Sequence, residues 1–141
     1  MSVFVKFYAF VEALAEKKHD LGADTLKVML SNTAPTASTN AVKTDITEIS
    51  AGNGYTAGGN TATVSSSAQT SGTYKLVLAD PATWTASGGS IGPVRYAVLY
   101  NDTATNKDLI GYWDYGSSVT VASGETFRVD YDGTNGVLTI A

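Results

Sequence analysis

The amino-acid sequence predicts a mainly β protein, an antiparallel β-sandwich that is jelly-roll-like and carries one N-terminal α-helix. Near the N-terminus apolar residues recur with the period of a helix, whereas later they alternate in short runs separated by Gly, Asn or Asp. The length of 141 residues is enough for one domain with a substantial core. We therefore expect residues 1–141 to form a single domain.

The N-terminal segment carries one apolar stripe. Its members recur at i, i+4, i+7, i+8 and i+11, and they are Val3, Phe7, Phe10, Val11 and Leu14. Lys17 and Lys18 suit the C-terminal end of a helix, where positive charge is favourable. The pattern predicts a helix over residues 3–18, with Gly22 as a stop signal.

After this helix the apolar period changes to two. The clearest alternation is in "TLKVMLS" (25–31), "TYKLVLA" (73–79) and "VRYAVLY" (94–100). Shorter runs are "DLIGYWDYG", "SVTVAS", "TFRVDYD" and "VLTIA", and weaker strand patterns are "TATVSSS" and "TWTA". About seven to nine short strands at regular spacing are typical of an antiparallel sandwich or jelly roll.

Residues 32–60 lack clear periodicity and are predicted to form a long surface loop. Asp45 and Glu48 have the spacing of a capping box on one helical turn. Loops longer than about 12–15 residues are uncommon in compact domains and are often functional. The loop is therefore either a partner-binding arm or an ordinary crossover between sheets.

The composition excludes several functional classes. Charged residues are 16% of the chain, with 13 acids against 9 bases and a net charge of −4, so no basic stripe indicates nucleic-acid binding. No cysteine is present for a disulfide, a thiolate metal site or a nucleophile. Lys6, Glu12 and Glu16 interrupt any apolar signal-peptide region, and no apolar run approaches the roughly 20 residues of a membrane span. We expect synthesis in a cytoplasm and no membrane attachment.

The segment "SAGNGYTAGGNTATV" (50–64) raises the question of nucleotide binding. Gly52, Gly54 and Ala57 have the spacing G-x-G-x-x-[GA] of a dinucleotide loop. Such a loop must run into a helix whose N–H groups bind the phosphate, and here a Ser/Thr-rich, β-branched segment follows. We therefore predict a turn in which glycines supply positive φ and Tyr55 is the anchor.

Candidate metal ligands occur in "DYDGTNG" (130–136), where Asp130, Asp132 and Asn135 offer hard oxygen atoms. An EF-type calcium loop starting at Asp130 needs a ligand, a Gly and a Glu at its fifth, sixth and twelfth positions. Those positions hold Thr134, Asn135 and Ala141. The segment is better explained as a hairpin turn between strands, and we expect no metal and no cofactor.

Candidate catalytic groups are equally sparse. His19 is the only histidine, and its charged surroundings just after the helix predict a solvated side chain rather than a general base. The run "SSSAQTSG" lacks a nucleophile elbow. Asp114, Asp130 and Asp132 are possible paired carboxylates, but acids at alternate strand positions more often face solvent. We predict no catalytic residues and no enzyme.

Aromatic residues are concentrated in the predicted β region. They are Trp84, Tyr96, Tyr100, Tyr112, Trp113, Tyr115 and Tyr131. Exposed together, they would stack on sugar rings or anchor a protein interface; facing inward, they would form the sandwich core. Tyr96 and Tyr100 alternate in register with Val94 and Val98, which favours the core.

Several segments, taken in order, resemble one known family. They are "FVEALAEKKHDLGADTLKVMLSNTAPT" (10–36), "GNGYTAGGNT" (52–61), "WTASGGSIGPVRYAVLYNDT" (84–103), "LIGYWDYG" (109–116) and "GVLTI" (136–140). This ordered set is similar to small virion structural proteins of tailed bacteriophages, some of which look like capsid decoration (cement) proteins. The resemblance extends from Phe10 to Ile140.

The resemblance implies a virion protein that binds the outer surface of the mature head and stabilises the contacts between capsomers. Its implied partner is the major capsid protein, and its implied state is a homo-oligomer, a trimer or a dimer. The family is not enzymatic, so no catalytic residues are carried over. The alternatives are a tail, adaptor or head-fibre subunit, or a carbohydrate-binding module at a tail tip. The last requires an exposed Trp84 or Trp113 beside Asp or Asn.

Overall fold

β-strands dominate the architecture, and the computed structural model describes residues 3–79 and 82–141. Along the chain the elements are β1 (Phe4–Lys6), α1 (Tyr8–Ala15), β2 (Leu26–Ser31), β3 (Asn60–Ala62), β4 (Val64–Thr70), β5 (Thr73–Leu78), β6 (Ala82–Thr85), β7 (Ile91–Asn101), β8 (Leu109–Val121), β9 (Thr126–Val129) and β10 (Leu138–Ile140). The prediction of a mainly β, antiparallel fold with one α-helix is confirmed.

The described strands form three sheets, all with antiparallel pairing. Their orders are β1-β8-β7-β2-β3, β10-β5-β4 and β6-β9. Buried side chains from all three sheets meet in one apolar core, which gives a sandwich-like arrangement. A jelly roll is built from eight strands in two sheets. The observed orders do not establish that topology, which stays a prediction.

The predicted helix over residues 3–18 is too long at both ends. Phe4–Lys6 is a strand that pairs with β8 from Trp113 back to Gly111, and α1 covers only Tyr8–Ala15. The missing side chain of Gly111 leaves room for the Phe4 ring, which would overlap a Cβ atom there. The backbone of this segment thus gains cross-strand hydrogen bonds, and tertiary pairing overrides the helical period of the sequence.

The predicted apolar stripe is divided between core and surface. Phe7 and Phe10 are fully buried and Leu14 is half-buried, but Val3 and Val11 are exposed. Val3 precedes the extended β1 and therefore has no helical register with the others. The apolar face of α1 that meets the core is narrower than the sequence predicts.

Two predictions about strand connections are wrong. "DLIGYWDYG" and "SVTVAS" belong to one strand, β8, which continues through Gly116 at a φ of +101° and shifts its register against β7 between Asp114 and Val119. The predicted hairpin at 130–136 does not exist, since β9 pairs with β6 and β10 pairs with β5. This turn carries the chain from one sheet to another.

Residues 32–59 connect β2 to β3, and apart from isolated bridges their one element is a 3-10 turn at Lys43–Asp45. Because β2 and β3 are neighbours in the same sheet, the loop is not a crossover between sheets. Isolated bridges join Glu48 to Ser31 and Val42 to Asp108, so the loop is tied to the main sheet. The predicted capping box of Asp45 with Glu48 does not form: Asp45 ends the 3-10 turn and accepts the N–H groups of Ala41 and Val42 before it, whereas Glu48 accepts the Tyr55 hydroxyl.

Candidate functional site

The glycine-rich segment is a turn anchored by Tyr55. Gly52 and Tyr55 exchange backbone hydrogen bonds of 2.8 and 3.1 Å. The buried Tyr55 hydroxyl accepts the Leu30 N–H at 3.0 Å and donates to Glu48 Oε1 at 2.6 Å. Positive φ angles occur at Gly52, Gly54, Gly58 and Gly59. The predicted conformational role of the glycines and the anchoring role of Tyr55 are confirmed, and the chain continues into β3 rather than into a helix.

Glu48 also holds the turn around Tyr55 in place. Its Oε1 also accepts the N–H of Gly58 at 2.6 Å, and the Lys43 ammonium lies 3.5 Å from Oε2. Burial and the hydrogen bond to Glu48 raise the pKa of Tyr55, so the hydroxyl remains a donor. The Gly58 N–H and the Tyr55 hydroxyl are therefore already bonded to the protein's own carboxylate.

His19 is buried, and the prediction of a solvated side chain is wrong. Its ring is 7% exposed and packs 5.1 Å from the Phe10 ring. The amide nitrogen of Asn101 lies 3.0 Å from His19 Nδ1 and 2.7 Å from Asp24 Oδ2. These contacts join the connection after α1 to the end of β7. The sequence held no local signal for them, because Asn101 is 82 residues away.

The hydrogen bonds of Asn101 determine the tautomer of His19. Asn101 Oδ1 accepts the N–H groups of Thr103 and Ala104 at 2.9 and 3.1 Å, so its NH₂ group must face His19 and Asp24. An amide nitrogen only donates, and His19 Nδ1 therefore accepts. The ring proton is on Nε2, a buried atom with no hydrogen-bond acceptor in the part of the chain that the structure describes.

We expect the free energy of unfolding to fall as the pH drops below 6.5, the ordinary pKa of histidine. Burial lowers the pKa of His19 and outweighs the opposing charges of Asp108 and Asp24; Lys18 lowers it further. Between the folded and unfolded pKa values the unfolded chain binds more protons, so acid favours unfolding. Urea unfolding at about pH 7.5 and about pH 5.5 measures the loss, since ordinary carboxylates titrate lower.

The matched control for this measurement is His19→Gln, which offers an amide oxygen to Asn101 but does not titrate. Its stability should change less over the same pH range. Equal pH dependence in the two proteins would contradict the assignment of a buried neutral histidine.

A cleft of about 790 Å³ lies beside His19. Its wall combines Leu14 and Ile140 with polar groups such as Lys18, Tyr74 and Thr103. His19 Nδ1 is already bonded to Asn101, and Nε2 has almost no accessible surface. His19 is therefore a structural group in this cleft and has no geometry for proton transfer to a bound molecule.

In the acidic turn at 130–136, the carboxylate oxygens of Asp132 accept hydrogen bonds from groups of the turn itself. Asp132 accepts the N–H groups of Thr134 and Asn135 at 2.9 and 2.8 Å and the Asn135 side-chain amide at 2.9 Å. These hydrogen bonds lower the pKa of Asp132. Asp130 instead pairs with Arg128. Within residues 3–79 and 82–141, no three His, Asp or Glu side chains are grouped so as to hold a metal ion.

Most of the predicted aromatic set belongs to the core. Trp84, Tyr96, Tyr100, Trp113 and Tyr131 are buried, and Tyr112 is half-buried. Tyr115 is the exception, with 54% of its surface exposed. The carbohydrate hypothesis in its original form, with an exposed Trp84 or Trp113, is therefore wrong.

Helix α1 presents an exposed apolar face, which sequence reasoning missed. Tyr8, Val11 and Ala15 are spaced i, i+3 and i+7, so they share one side of the helix, and all are exposed. Tyr8 is 69% and Val11 55% exposed, and Val3, just before β1, is 79% exposed. We call Tyr8, Val11 and Ala15 the outer face of α1. The inner face consists of the buried Phe10 and Ala13.

In comparisons with known proteins, no family model, no curated protein and no solved structure matches this chain. None of the described helices has the length and apolar character of a membrane span. The functional inferences below therefore depend on the residues of the chain itself.

Proposed function

We propose that the protein is a bacteriophage capsid decoration protein that binds the outside of the mature head. The proposal rests on the resemblance of the segments between Phe10 and Ile140 to small virion structural proteins, and the structural observation that carries it is the outer face of α1. The helix sequence YAFVEALA includes one charged residue, Glu12, which is exposed one turn from Tyr8 and lies at the edge of the outer face. The rest of the exposed side of α1 is largely apolar, and a contiguous exposed apolar surface is typical of a contact with another protein.

The surface composition supports the same function. Charged residues are 16% of the chain, and neutral polar residues take the place of the missing charges. Small neutral groups lose little solvation energy when they are covered. Binding through such a surface depends weakly on salt, unlike electrostatically steered association.

The partner of the outer face is the major capsid protein, and the mechanism is passive. A few side chains cover less than the roughly 800 Å² per partner of a standard interface, so one contact is weak. A homo-oligomer that joins several contacts across capsomer boundaries has a much higher effective affinity. Contacts that exist only in the assembled, expanded head stabilise that state.

The test is cosedimentation with purified heads that lack this protein, at low and high salt. We expect saturable binding to mature heads, weaker binding to procapsids, and little effect of salt. Val11→Glu places a charge in the outer face and should weaken head binding at least about tenfold. Val11 is exposed, so the variant should fold normally.

Tyr115→Ala is the matched control, because Tyr115 is an exposed aromatic residue of β8 that does not belong to the outer face of α1. It should bind heads like the unchanged protein. Cosedimentation with tails instead of heads would contradict the proposal and favour another virion component. Unchanged head binding by Val11→Glu would remove the outer face as the contact surface.

A further inference from the structure

A second cleft, of about 450 Å³, is formed by residues of β7, β8 and β9 and of the turn after β9. We call it the aromatic cleft. Its wall includes Trp113, Tyr115 and Phe127 together with the side chains of Arg95, Asp114, Arg128 and Asp130. Its volume is in the range of roughly 300–1,000 Å³ that is usual for small-molecule sites.

Tyr115 supplies an exposed aromatic surface in this cleft. Its ring centroid lies 5.5 Å from that of Phe127, which is buried. Trp113 precedes it by two residues on β8, and its ring packs 4.9 Å from the ring of Phe4. Tyr115 therefore packs against the buried Phe127 ring while about half of its own surface remains exposed to a ligand.

Two ion pairs line the same cleft. The Arg95 guanidinium donates from Nε and Nη2 to the two oxygens of Asp114, at 2.9 and 3.1 Å, and Arg128 Nη2 lies 3.3 Å from Asp130 Oδ1. The first pair is held further by Gly116, whose N–H donates to Asp114 Oδ1 at 2.8 Å. Both pairs are partly exposed.

The pairing leaves the cleft rich in hydrogen-bonding groups but without net charge. Arginine has five N–H donors, and Asp114 occupies two of those of Arg95. Hydrogen bonds from Arg95 and Gly116 lower the pKa of Asp114, so this group stays an ionised acceptor near neutral pH. A charged ligand would have to displace an existing partner, whereas hydroxyl groups bind to the remaining donors and acceptors.

We infer that the aromatic cleft binds one ring of a neutral carbohydrate. The C–H face of the sugar stacks on Tyr115, and neighbouring hydroxyl groups bind the planar Arg95–Asp114 pair. Sugar rings combine an apolar face with a rim of hydroxyls, and this cleft presents the complement of both. The inference is independent of capsid decoration, because it uses none of the residues of the outer face of α1.

The experiment is a titration of the full chain with neutral trisaccharides of glucose, galactose, mannose, rhamnose and N-acetylglucosamine, followed by saturation-transfer NMR and calorimetry. We expect at least one trisaccharide to bind saturably and with little dependence on salt. Tyr115→Ala should weaken that binding about tenfold, the size expected for loss of one aromatic contact. Tyr115→Phe keeps the ring and should bind nearly as well.

Tyr8→Ala is the matched control, since it removes an exposed tyrosine that does not line the cleft. It should leave sugar binding unchanged. Absence of saturable binding to every trisaccharide would overturn the inference, and so would equal losses in Tyr8→Ala and Tyr115→Ala. Trisaccharide binding that disappears in about 0.5 M salt would mean that it depends on charge rather than on ring stacking and hydroxyl contacts, and would overturn the inference as well.

Discussion

Phe10→Ala is expected to destabilise the folded protein by about 3–5 kcal/mol, the usual range for deleting a fully buried phenyl ring. Phe10 is 1% exposed, lies on the inner face of α1 and packs against His19. Its removal leaves a cavity between α1 and the core that a short helix cannot close by itself. The melting temperature should fall on the order of 10 °C.

Val11→Ala is the control for this prediction, because Val11 is the adjacent residue and is 55% exposed. Its effect should stay within about 0.5 kcal/mol, as is usual at exposed sites. Urea unfolding of both variants beside the parent protein gives the comparison. Similar losses in the two variants would show that α1 is not packed on its Phe10 side.

Gly59→Ala is expected to cost about 2–5 kcal/mol, from strain at positive φ together with overpacking. Gly59 has a φ of +78°, and a Cβ atom there would overlap the carbonyl oxygen of Val28 and lie 2.7 Å from Met29 Cα. Both of these atoms belong to the main chain of β2, at the position where β3 begins to pair with it. They cannot move without disturbing the central sheet.

Gly88→Ala separates these two contributions. Gly88 has nearly the same φ, +77°, but a Cβ atom would meet nothing within 4 Å. The substitution should therefore cost only the conformational strain, about 1–2 kcal/mol. Thermal melts of the two variants measure the difference; equal losses would mean that close approach to β2 contributes nothing.

Strands with strong local patterns were predictable from the sequence. β2, β5 and β7 fall within or around the alternating runs because their apolar residues must enter the core whatever the topology. The alternating pattern predicts burial of only one face of each strand. Met29 of β2 and Leu99 of β7 lie on the other faces and are also fully buried. Both faces of these strands are covered here, and what packs on the second face is decided only by the tertiary structure.

The candidate surfaces were less predictable. The aromatic cleft depends on Arg95 meeting Asp114 across two strands, and the predictions for Asp114, a paired carboxylate or a solvent-facing acid, did not anticipate that partner. The outer face of α1 was hidden because Val11 was assigned to the same stripe as Phe10. Phe10 is buried and Val11 is exposed because of the way α1 packs on the core, which the helical period alone does not specify.

The sequence by itself determined the conformation of the strongly patterned strands and of the turn around Tyr55. Period-two apolar runs specify strands, and the glycines around Tyr55 allow the positive φ angles of its turn. Only the tertiary structure decided that Phe4 pairs with Trp113 and that His19 is buried against Asn101. The physical reason is the range of the interactions: steric and periodic preferences act between near neighbours in the chain. Strand pairing and burial depend on residues about a hundred positions apart, whose contact exists only once the core has formed.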